Sequence, residues 1–331
     1  MRPRAAALIA GLLALALGGV AAVAGEGAAD ARIELGRQLF YDADLSRDGT
    51  MACATCHEQR RGFTDGNATH PGVTGQPARR RVMALVNLGA LASYTWGDPR
   101  LTRLETQALV PLMGDHPVEM GARPGLIAER LSADACYQRA FAAAFPGEPG
   151  GVTDDKAMRA LAAFERALVS TDTVWDRAQH GDPAALSETA RRGEALFRGR
   201  ALGCASCHAG PDFTDAAGPA ALKDPATAFH AIGLPPAAAD RGLGEITGRA
   251  ADDGRFRTPG LRNVALAAPY MHDGSAPTLE AAIRAHTAAS PAVRQLPAAR
   301  MAELVAFLES LTDRTLTTDP RLALPKQQCG R

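Results

Sequence analysis

The sequence has no excess of charge of either sign and few aromatic side chains. Its 331 residues include 36 basic and 36 acidic residues, which gives a formal net charge of zero. Because nucleic-acid binding depends on clustered positive charge, this balance argues against a nucleic-acid partner. Aromatic residues make up only 5% of the chain, and strand patterns are scarce, so a mostly α-helical core is expected.

Long apolar runs are also missing, except at the N-terminus. That end has a basic start, Met1-Arg2-Pro3-Arg4, followed by an apolar stretch over 5–24 that ends in Ala22-Val23-Ala24. This pattern predicts a signal peptide over 1–24, cleaved near Ala24, and hence an exported, periplasmic protein. A membrane anchor is the alternative, because the run is nearly long enough to span a bilayer. No later segment has that length, so no membrane span is expected after cleavage.

Two Cys-x-x-Cys-His segments are the strongest chemical signal in the chain. They are Cys53-Ala54-Thr55-Cys56-His57 and Cys204-Ala205-Ser206-Cys207-His208. Each predicts a covalently attached haem c, with two thioether-forming cysteines and with His57 or His208 as an axial ligand of the iron. One zinc site built from both cysteine pairs is the alternative. That site would bring distant pairs together and leave both histidines unexplained, so two haem c groups are favoured.

Features on either side of these motifs occur twice in the same order. Gly36-Arg37-Gln38-Leu39-Phe40 and Gly193-Glu194-Ala195-Leu196-Phe197 precede the motifs, and Phe63-Thr64-Asp65 and Phe213-Thr214-Asp215 follow them. This repetition predicts two cytochrome c-like haem domains that arose by internal duplication. A break at Asp182-Pro183 places the domains at 25–185 and 186–331, each mostly α with long loops.

Two cysteines, Cys136 and Cys329, belong to neither motif. In an oxidising compartment they can pair. Because Cys136 follows a helical stretch and Cys329 lies in a tail, the sequence is equally compatible with a disulfide and with free thiols.

Further motifs resemble one family over nearly the whole mature chain. They are Tyr94-Thr95-Trp96, the segments 104–111 and 116–120, and the segment from Phe256-Arg257-Thr258-Pro259 to Pro269-Tyr270-Met271-His272-Asp273-Gly274. In this order they resemble the bacterial di-haem cytochrome c peroxidase/MauG superfamily. The region from Trp96 to Glu119 is most similar to the branch of the methanobactin-associated di-haem enzyme MbnH, which oxidises tryptophan on a partner protein.

The resemblance implies different roles for the two haems. In the family, the N-terminal haem, here on His57, reacts with hydrogen peroxide at an open axial position. Glu119 matches a glutamate that can move a proton between the peroxide oxygens. Gln107 matches a glutamine that can orient peroxide or water, and Pro111 matches a proline that lines the same pocket.

The loop after the first motif bears on whether that axial position is open. Family members that need reductive activation carry a ligating histidine there. Val73 stands at the matching position, so an open haem is expected, with the nearby His70 as an alternative ligand.

Trp96 matches the tryptophan between the two haems, where an indole can share oxidising charge. Trp175 has no such match and is expected to pack in the core.

The second haem needs a ligand opposite His208. Family spacing points to His286, at a position where peroxidases have methionine and MauG has tyrosine. A histidine there would make a six-coordinate haem with two histidine ligands and a lower reduction potential. Met301, or no ligand, is the alternative. Met271 and His272 are expected to pack or hydrogen-bond around the haem.

The family also holds a calcium ion between the haems. The resemblance implies ligation by the carbonyl oxygens of Ala267 and Pro269 and by an asparagine side chain. That asparagine is Asn87 or is replaced by Arg81, whose charge would substitute for the cation. Calcium is therefore a candidate third cofactor beside the two haems.

Three functions fit these features. The favoured one is a periplasmic enzyme that reacts with hydrogen peroxide to form a high-valent di-haem state and oxidises a partner protein, with tryptophan as a candidate target. The second is a di-haem cytochrome c peroxidase that takes electrons from a small redox protein. The third is a non-catalytic di-haem electron carrier, in which Gln107 and Glu119 would have no catalytic role.

Overall fold

The structure, a computed structural model, describes residues 27–234 and 240–330. The predicted signal peptide over 1–24 lies outside these ranges. Helices and short 3₁₀ turns dominate, and the regular sheet within the described ranges is a two-stranded antiparallel ribbon. The prediction of a mostly α fold is therefore confirmed. Within the same ranges, no helix combines the length and the apolar character needed to cross a bilayer.

The helices divide between the two halves of the chain. In the first half they are α1 over 27–40, α2 (Cys53–Cys56), α3 (Leu104–Gln107), α4 (Leu109–Met113), α5 (Leu126–Leu131), α6 (Ala135–Ala144) and α7 (Asp154–Ala167). In the second half they are α8 (Val174–Gln179), α9 (Glu188–Arg198), α10 (Pro219–Lys223), α11 (Gly244–Thr247), α12 (Leu279–Ala285), α13 (Ala298–Glu309) and α14 (Arg314–Thr318). The ribbon pairs β1 (Phe229–His230) with β2 (Phe256–Arg257), and Phe229 lies opposite Arg257.

The core of the first half is built where α1 crosses α7. Thr153 caps α7 by accepting a hydrogen bond from the Lys156 amide, which satisfies an otherwise unpaired donor at the start of the helix. At the crossing, a Cβ atom on Gly36 would lie 2.0 Å from the carbonyl oxygen of Ala160. Only glycine therefore allows the two backbones to approach this closely.

The second half repeats this arrangement with α9 and α13. Ser187 caps α9 by accepting a hydrogen bond from the Ala190 amide. A Cβ atom on Gly193 would lie 1.9 Å from the carbonyl oxygen of Glu303. The glycine before each Leu-Phe pair thus has the same physical role in both halves.

The helix crossings place the same aromatic cluster beside each haem motif. In both halves, the phenylalanine of the first helix has its ring centre 6.0 Å from a second phenylalanine and 6.4 Å from the motif histidine. The clusters are Phe40, Phe63 and His57 in the first half and Phe197, Phe213 and His208 in the second. Because large aromatic side chains dominate core energetics, these contacts fix where each motif sits on its helix pair.

The segment over 314–330 packs against the first half of the molecule. Leu316 of α14 belongs to the hydrophobic core around α1 and α7. The Gln59 amide donates hydrogen bonds to the carbonyl oxygens of Leu316 and Asp319. The last residues of the predicted domain over 186–331 therefore lie across the first domain, next to its haem motif.

A disulfide between Cys136 of α6 and Cys329 joins this segment covalently to the first half of the molecule. The backbone amide of Gly330 also donates a hydrogen bond to Asp134, the residue that caps α6. The pairing that the sequence left open is thus present in the structure.

We expect loss of this disulfide to destabilise the protein. The bond joins residues separated by 193 positions, and the chain-entropy model assigns about 5 kcal/mol to a loop of that size. Replacing Cys136 and Cys329 together by serine should lower the free energy of unfolding in urea by roughly 2–5 kcal/mol. Wild type with its disulfide reduced should have the same free energy of unfolding as the variant. Equal urea midpoints for the variant and the oxidised wild type would contradict a stabilising role of the disulfide.

Candidate active site

Both motif histidines are held by the same backbone contact. Nδ1 of His57 lies 2.9 Å from the carbonyl oxygen of Phe63, and Nδ1 of His208 lies 3.0 Å from that of Phe213. Because a carbonyl oxygen only accepts, Nδ1 carries the proton and the lone pair of Nε2 is free for a metal. Phe63 and Phe213 have φ angles of 60° and 54°, a left-handed conformation that non-glycine residues seldom adopt.

The two imidazoles are neutral, which is the form that binds metals. Burial lowers the pKa of His57. Burial and then the proximity of His286 lower the pKa of His208 to about 4. Each histidine therefore offers Nε2 as a ligand without having to lose a proton first.

The four motif cysteines, all within the described ranges, form no disulfide. Burial and then the charge of Glu165 raise the pKa of Cys53. Burial and then the charge of Glu119 raise the pKa of Cys56 to about 12, and burial also raises the pKa of Cys204. These three cysteines are thus held as thiols, as thioether attachment to a haem requires.

Cys207 is part of a small polar cluster. Nε2 of His230 lies 2.7 Å from the Asp215 carboxylate, and ligand atoms of Cys207, Asp215 and His230 lie within 4.8 Å of one another. Hydrogen bonds to Asp215 and then to Cys207 raise the pKa of His230 to about 9. Because a haem thioether would occupy the Cys207 sulfur, we assign this cluster to the surroundings of the haem rather than to a separate metal ion.

A largely apolar cavity of about 290 Å³ lies beside the second motif. Its polar and ligating wall residues include Arg81, Asn87, Trp96, Cys204, Cys207, His208, Asp212, His230, Arg257, Arg262, His272 and His286. Its apolar wall includes Leu202, Ile283, Val293, Leu304 and Leu308. Two thiols, an imidazole with a free Nε2 and an apolar wall fit a covalently attached haem.

His286 lies across this cavity from His208. Its Nδ1 is 2.8 Å from the carbonyl oxygen of Ala282, one turn earlier in α12, so its Nε2 is also free. The ring centres of His208 and His286 are 6.3 Å apart. Two imidazoles that bind one metal from opposite sides, each at about 2 Å, have ring centres roughly 6 Å apart.

The other residues considered for this position are placed differently. Met301 is 3% exposed within the core face of α13 and is not part of the cavity wall. The ring of His272 stacks on Phe256 with the ring centres 3.7 Å apart. Met271 lines the cavity beside Tyr270. Among these candidates, only His286 faces His208 at the separation that a shared metal requires.

The residues expected to handle peroxide gather near the first motif. Gln107 ends α3, and Pro111 lies in α4. The Met120 amide donates a hydrogen bond to the carbonyl oxygen of Pro111 at 2.9 Å, which holds the Glu119 segment against α4. Burial raises the pKa of Glu119, and the effect of its charge on Cys56 locates the carboxyl near the haem attachment point.

Both side chains are available to a ligand. Within the described ranges, neither the Gln107 amide nor the Glu119 carboxyl makes a side-chain hydrogen bond. An unpaired amide and a carboxyl with a raised pKa can together orient a small polar molecule and exchange a proton with it.

The loop after the first motif is attached to the Glu119 segment. The Val73 amide donates a hydrogen bond to the Glu119 carbonyl oxygen at 2.8 Å, and a Cβ atom on Gly72 would lie 2.1 Å from the Val118 carbonyl oxygen. Nδ1 of His70 lies 2.8 Å from the Pro71 carbonyl oxygen. Burial lowers the pKa of His57 and raises the pKa of Glu119, and the charge of His70 has a smaller, lowering effect on both, so an imidazole does lie on this side of the site.

Trp96 connects the two halves. Its Nε1 donates a hydrogen bond to the carbonyl oxygen of Arg81 at 2.8 Å, and its own carbonyl oxygen accepts one from the Arg257 amide at 2.9 Å. The indole lines the cavity next to His208. The structure therefore places Trp96 in contact with both halves of the chain.

The side chain of the candidate calcium ligand Asn87 has partners within the protein. The Asn87 amide donates hydrogen bonds to the Asp212 carboxylate at 2.6 Å and to the Ser170 carbonyl oxygen at 3.1 Å. Asn87, Arg81 and Ala267 all line the cavity. Pro269 follows Ala268 in the same loop through a cis peptide bond.

Trp175 packs against the second haem motif, as expected. Its ring lies edge to face with Phe213 at 5.0 Å, and its Nε1 donates a hydrogen bond to Glu194.

Two residues near the sites were not expected from the sequence, Glu165 and Arg257. Arg257 lies within a motif that resembles the family. Its equivalence to Arg81 follows only from matching hydrogen bonds. The Thr64 hydroxyl donates to the carbonyl oxygen of Val82, which follows Arg81, and the Thr214 hydroxyl donates to that of Thr258, which follows Arg257, each at 2.8 Å.

Comparison with known proteins defines the family. The family model for di-haem cytochrome c peroxidase matches residues 30–184. MauG of Methylorubrum extorquens is 39% identical over 255 residues, which cover 76% of this chain and 67% of that protein. Cytochrome c551 peroxidase of Nitrosomonas europaea is 32% identical over 319 residues, which cover 92% and 91% of the two chains. The chain belongs to the di-haem cytochrome c peroxidase/MauG family of oxidoreductases.

A solved structure is similar over nearly the whole chain. It is a MauG-like protein associated with microbial copper homeostasis, with a TM-score of 0.83 and 38% identity, covering 90% of this chain and 93% of that one. This neighbour agrees with the resemblance seen between Trp96 and Glu119. Family membership implies two haem groups, and the paired cysteines and neutral histidines described above fit them.

Glu165 of α7 is a buried carboxyl beside the first haem motif. It is 6% exposed, and its Oε2 has no hydrogen-bond partner among the described residues. Burial raises its pKa to about 8. A glutamate in a helical pattern is typical of a solvent-facing residue, so no signal in the sequence marks this position.

We expect Glu165 to make the protein less stable as the pH rises from 4.5 to about 8, the interval between its ordinary and its folded-state pKa. In this interval the folded protein keeps a proton that the unfolded chain has released, and stability then falls with pH. Glu165→Gln should be more stable than wild type by a few kcal/mol at pH 9 and similar to it at pH 4, since each pKa unit is worth about 1.4 kcal/mol.

Urea unfolding at both pH values measures this difference. Glu188→Gln is the matched control, because this carboxylate of α9 is 69% exposed. A stability difference between Glu165→Gln and wild type that is the same at pH 4 and pH 9 would rule out the titration.

Proposed function

We propose that this protein is a periplasmic enzyme that reacts with hydrogen peroxide through two covalently bound haem c groups and oxidises a partner protein, with tryptophan as a candidate target. The observation that carries the proposal is the His208–His286 pair, with both Nδ1 atoms bonded to carbonyl oxygens and the ring centres 6.3 Å apart. We assign His57, His208 and His286 as the axial iron ligands.

The first haem site is assigned to peroxide. A haem bound at this motif would supply the iron and the electrons for cleavage of the O–O bond of peroxide. Glu119 would take a proton from one peroxide oxygen and give it to the other oxygen, which would be released as water. Burial raises the pKa of its carboxyl, which suits a group that must both take and give a proton. Gln107 donates a hydrogen bond that orients the peroxide, and Pro111 limits the space around it.

The second haem site is assigned to holding oxidising charge. A second imidazole, in place of a thioether, lowers the reduction potential and favours oxidised iron. Such a site is a poor relay for routine electron delivery to peroxide, but it suits the storage of oxidising equivalents until a partner protein supplies electrons. Trp96, bonded to both halves of the chain, is assigned to the path between the two sites.

The similarity at 38% identity to a MauG-like protein supports this choice within the family. The alternative is a di-haem cytochrome c peroxidase that receives electrons from a small redox protein. One observation favours that alternative: His70 lies close enough to His57 and Glu119 to affect both pKa values. A non-catalytic carrier is the weakest choice, because it leaves the unpaired Gln107 and Glu119 side chains without a use.

Three further assignments accompany the proposal. The basic and apolar pattern over 1–24 supports export to the periplasm. The matching glycines and aromatic clusters of the two halves support an internal duplication. Arg81, rather than calcium, is assigned as the positive group between the sites, because the Asn87 amide is committed to Ser170 and Asp212.

Addition of hydrogen peroxide to the as-isolated diferric protein tests the function. We expect an immediate optical change without prior reduction, and a long-lived oxidised state that Mössbauer spectra assign to both irons. In Glu119→Gln the reaction should be slower by roughly 10²–10⁴-fold, the usual contribution of an acid/base group. Glu129→Gln is the matched control, since this carboxylate is 61% exposed on α5.

The other two functions predict different results. A protein that reacts only after one haem has been reduced is a cytochrome c peroxidase. Two six-coordinate haems that do not react with peroxide in either state identify an electron carrier.

Replacement of the proposed ligand tests the second haem directly. In His286→Met we expect a higher reduction potential of the C-terminal haem, because thioether sulfur donates less strongly than imidazole, and loss of the bis-histidine spectrum. His116→Met is the control, as this side chain is 93% exposed. If the spectra of His286→Met match those of wild type, His286 is not the ligand.

A further inference from the structure

Two buried arginines, Arg81 and Arg257, lie in the wall of the cavity beside His208. They are only 6% and 4% exposed. Removing a guanidinium from water is costly unless an opposite charge compensates for it. Yet within the described ranges, no carboxylate oxygen lies within 4.0 Å of either group.

The hydrogen bonds of these arginines go to neutral acceptors. Arg81 donates to the Thr64 hydroxyl at 3.2 Å and to the carbonyl oxygens of Val82 and Asp65, each at 2.9 Å. Arg257 donates to the carbonyl oxygens of Thr95 at 3.2 Å and Thr258 at 3.4 Å and to the Met83 sulfur at 3.6 Å. A guanidinium has five N–H groups, so each retains donors that no described residue accepts.

Arg262, a third buried arginine of this cavity wall, has its charge compensated by the polypeptide itself. It is equally buried, at 6% exposure. Its two Nη atoms donate to the Asp176 carboxylate at 2.7 and 2.9 Å, and its Nε donates to Asp212 at 3.0 Å. The lack of such partners around Arg81 and Arg257 therefore points to negative charge that comes from outside the polypeptide.

The two arginines occupy equivalent places on either side of Trp96. The carbonyl oxygen of Arg81 accepts the indole N–H of Trp96, and the amide of Arg257 donates to the carbonyl oxygen of Trp96. Because both arginines line the cavity that contains His208, anions bound by their guanidinium groups would lie in that cavity.

We propose that Arg81 and Arg257 bind the two propionate carboxylates of the haem attached at Cys204 and Cys207. A haem carries two such carboxylates, and the guanidinium fork matches their geometry. This inference rests on the haem assignment of the proposed function but not on its peroxide chemistry. The two ion pairs position the haem edge beside Trp96 and keep both carboxylates ionised.

Spectroelectrochemical titration of the holoprotein tests this proposal. In Arg257→Gln and in Arg81→Gln, both haems should remain attached, because the thioether bonds are untouched. The midpoint potential of the C-terminal haem should fall, since loss of a nearby positive charge favours ferric iron. It should also become pH-dependent near neutral pH, as an unpaired propionate takes up a proton. Arg257→Lys, which keeps the charge, should restore most of the wild-type potential.

Arg255→Gln is the matched control, because Arg255 is 34% exposed and pairs with Asp252 at 3.1 Å. Potentials of Arg257→Gln and Arg81→Gln that equal those of this control would overturn the proposal, as would a shift confined to the N-terminal haem. If the glutamine variants fail to fold, the resonance Raman spectrum of Arg257→Lys tests the proposal instead. Propionate bending frequencies equal to those of wild type would contradict a direct contact between Arg257 and a propionate. Peroxide reactivity of the diferric wild type is measured separately, so a failure here leaves the proposed function standing.

Discussion

The hydrogen bond from each motif histidine to a phenylalanine carbonyl oxygen is the constraint on which both sites depend. It fixes the tautomer and the ring direction, so that Nε2 faces the metal. The same phenylalanine inserts its ring into the crossing of two helices, at Phe63 for α1 and α7 and at Phe213 for α9 and α13. Helix packing is therefore coupled directly to the orientation of the iron ligand, and the two glycines at the crossings control both.

What differs between the halves is the opposite face of each site. In the second half, the end of α12 brings His286 across the cavity from His208. In the first half, a loop holds Val73 against the Glu119 segment. The contact that orients the motif histidine is shared by the two halves, so the proposed chemical difference between the haems comes from loops and helix ends rather than from the motifs.

The motifs, the helices that lead into them and the position of His286 could be predicted because they depend on local spacing or on family order. The Cys136–Cys329 bond could not, since it requires the segment over 314–330 to return to the first half. Glu165 was equally hidden, because residue type alone does not reveal that a charged group is buried. Asn87 was a candidate calcium ligand, and its actual partners lie far away in sequence.

The return of residues 314–330 has a consequence for maturation under the proposed export. Gln59, two residues after His57, is bonded to Leu316 and Asp319, so the last part of the chain covers the surface beside the first haem motif. In a chain exported from its N-terminus, Cys53 and Cys56 would emerge before residues 314–330. A haem would then be attached at the first motif before the tail covers it.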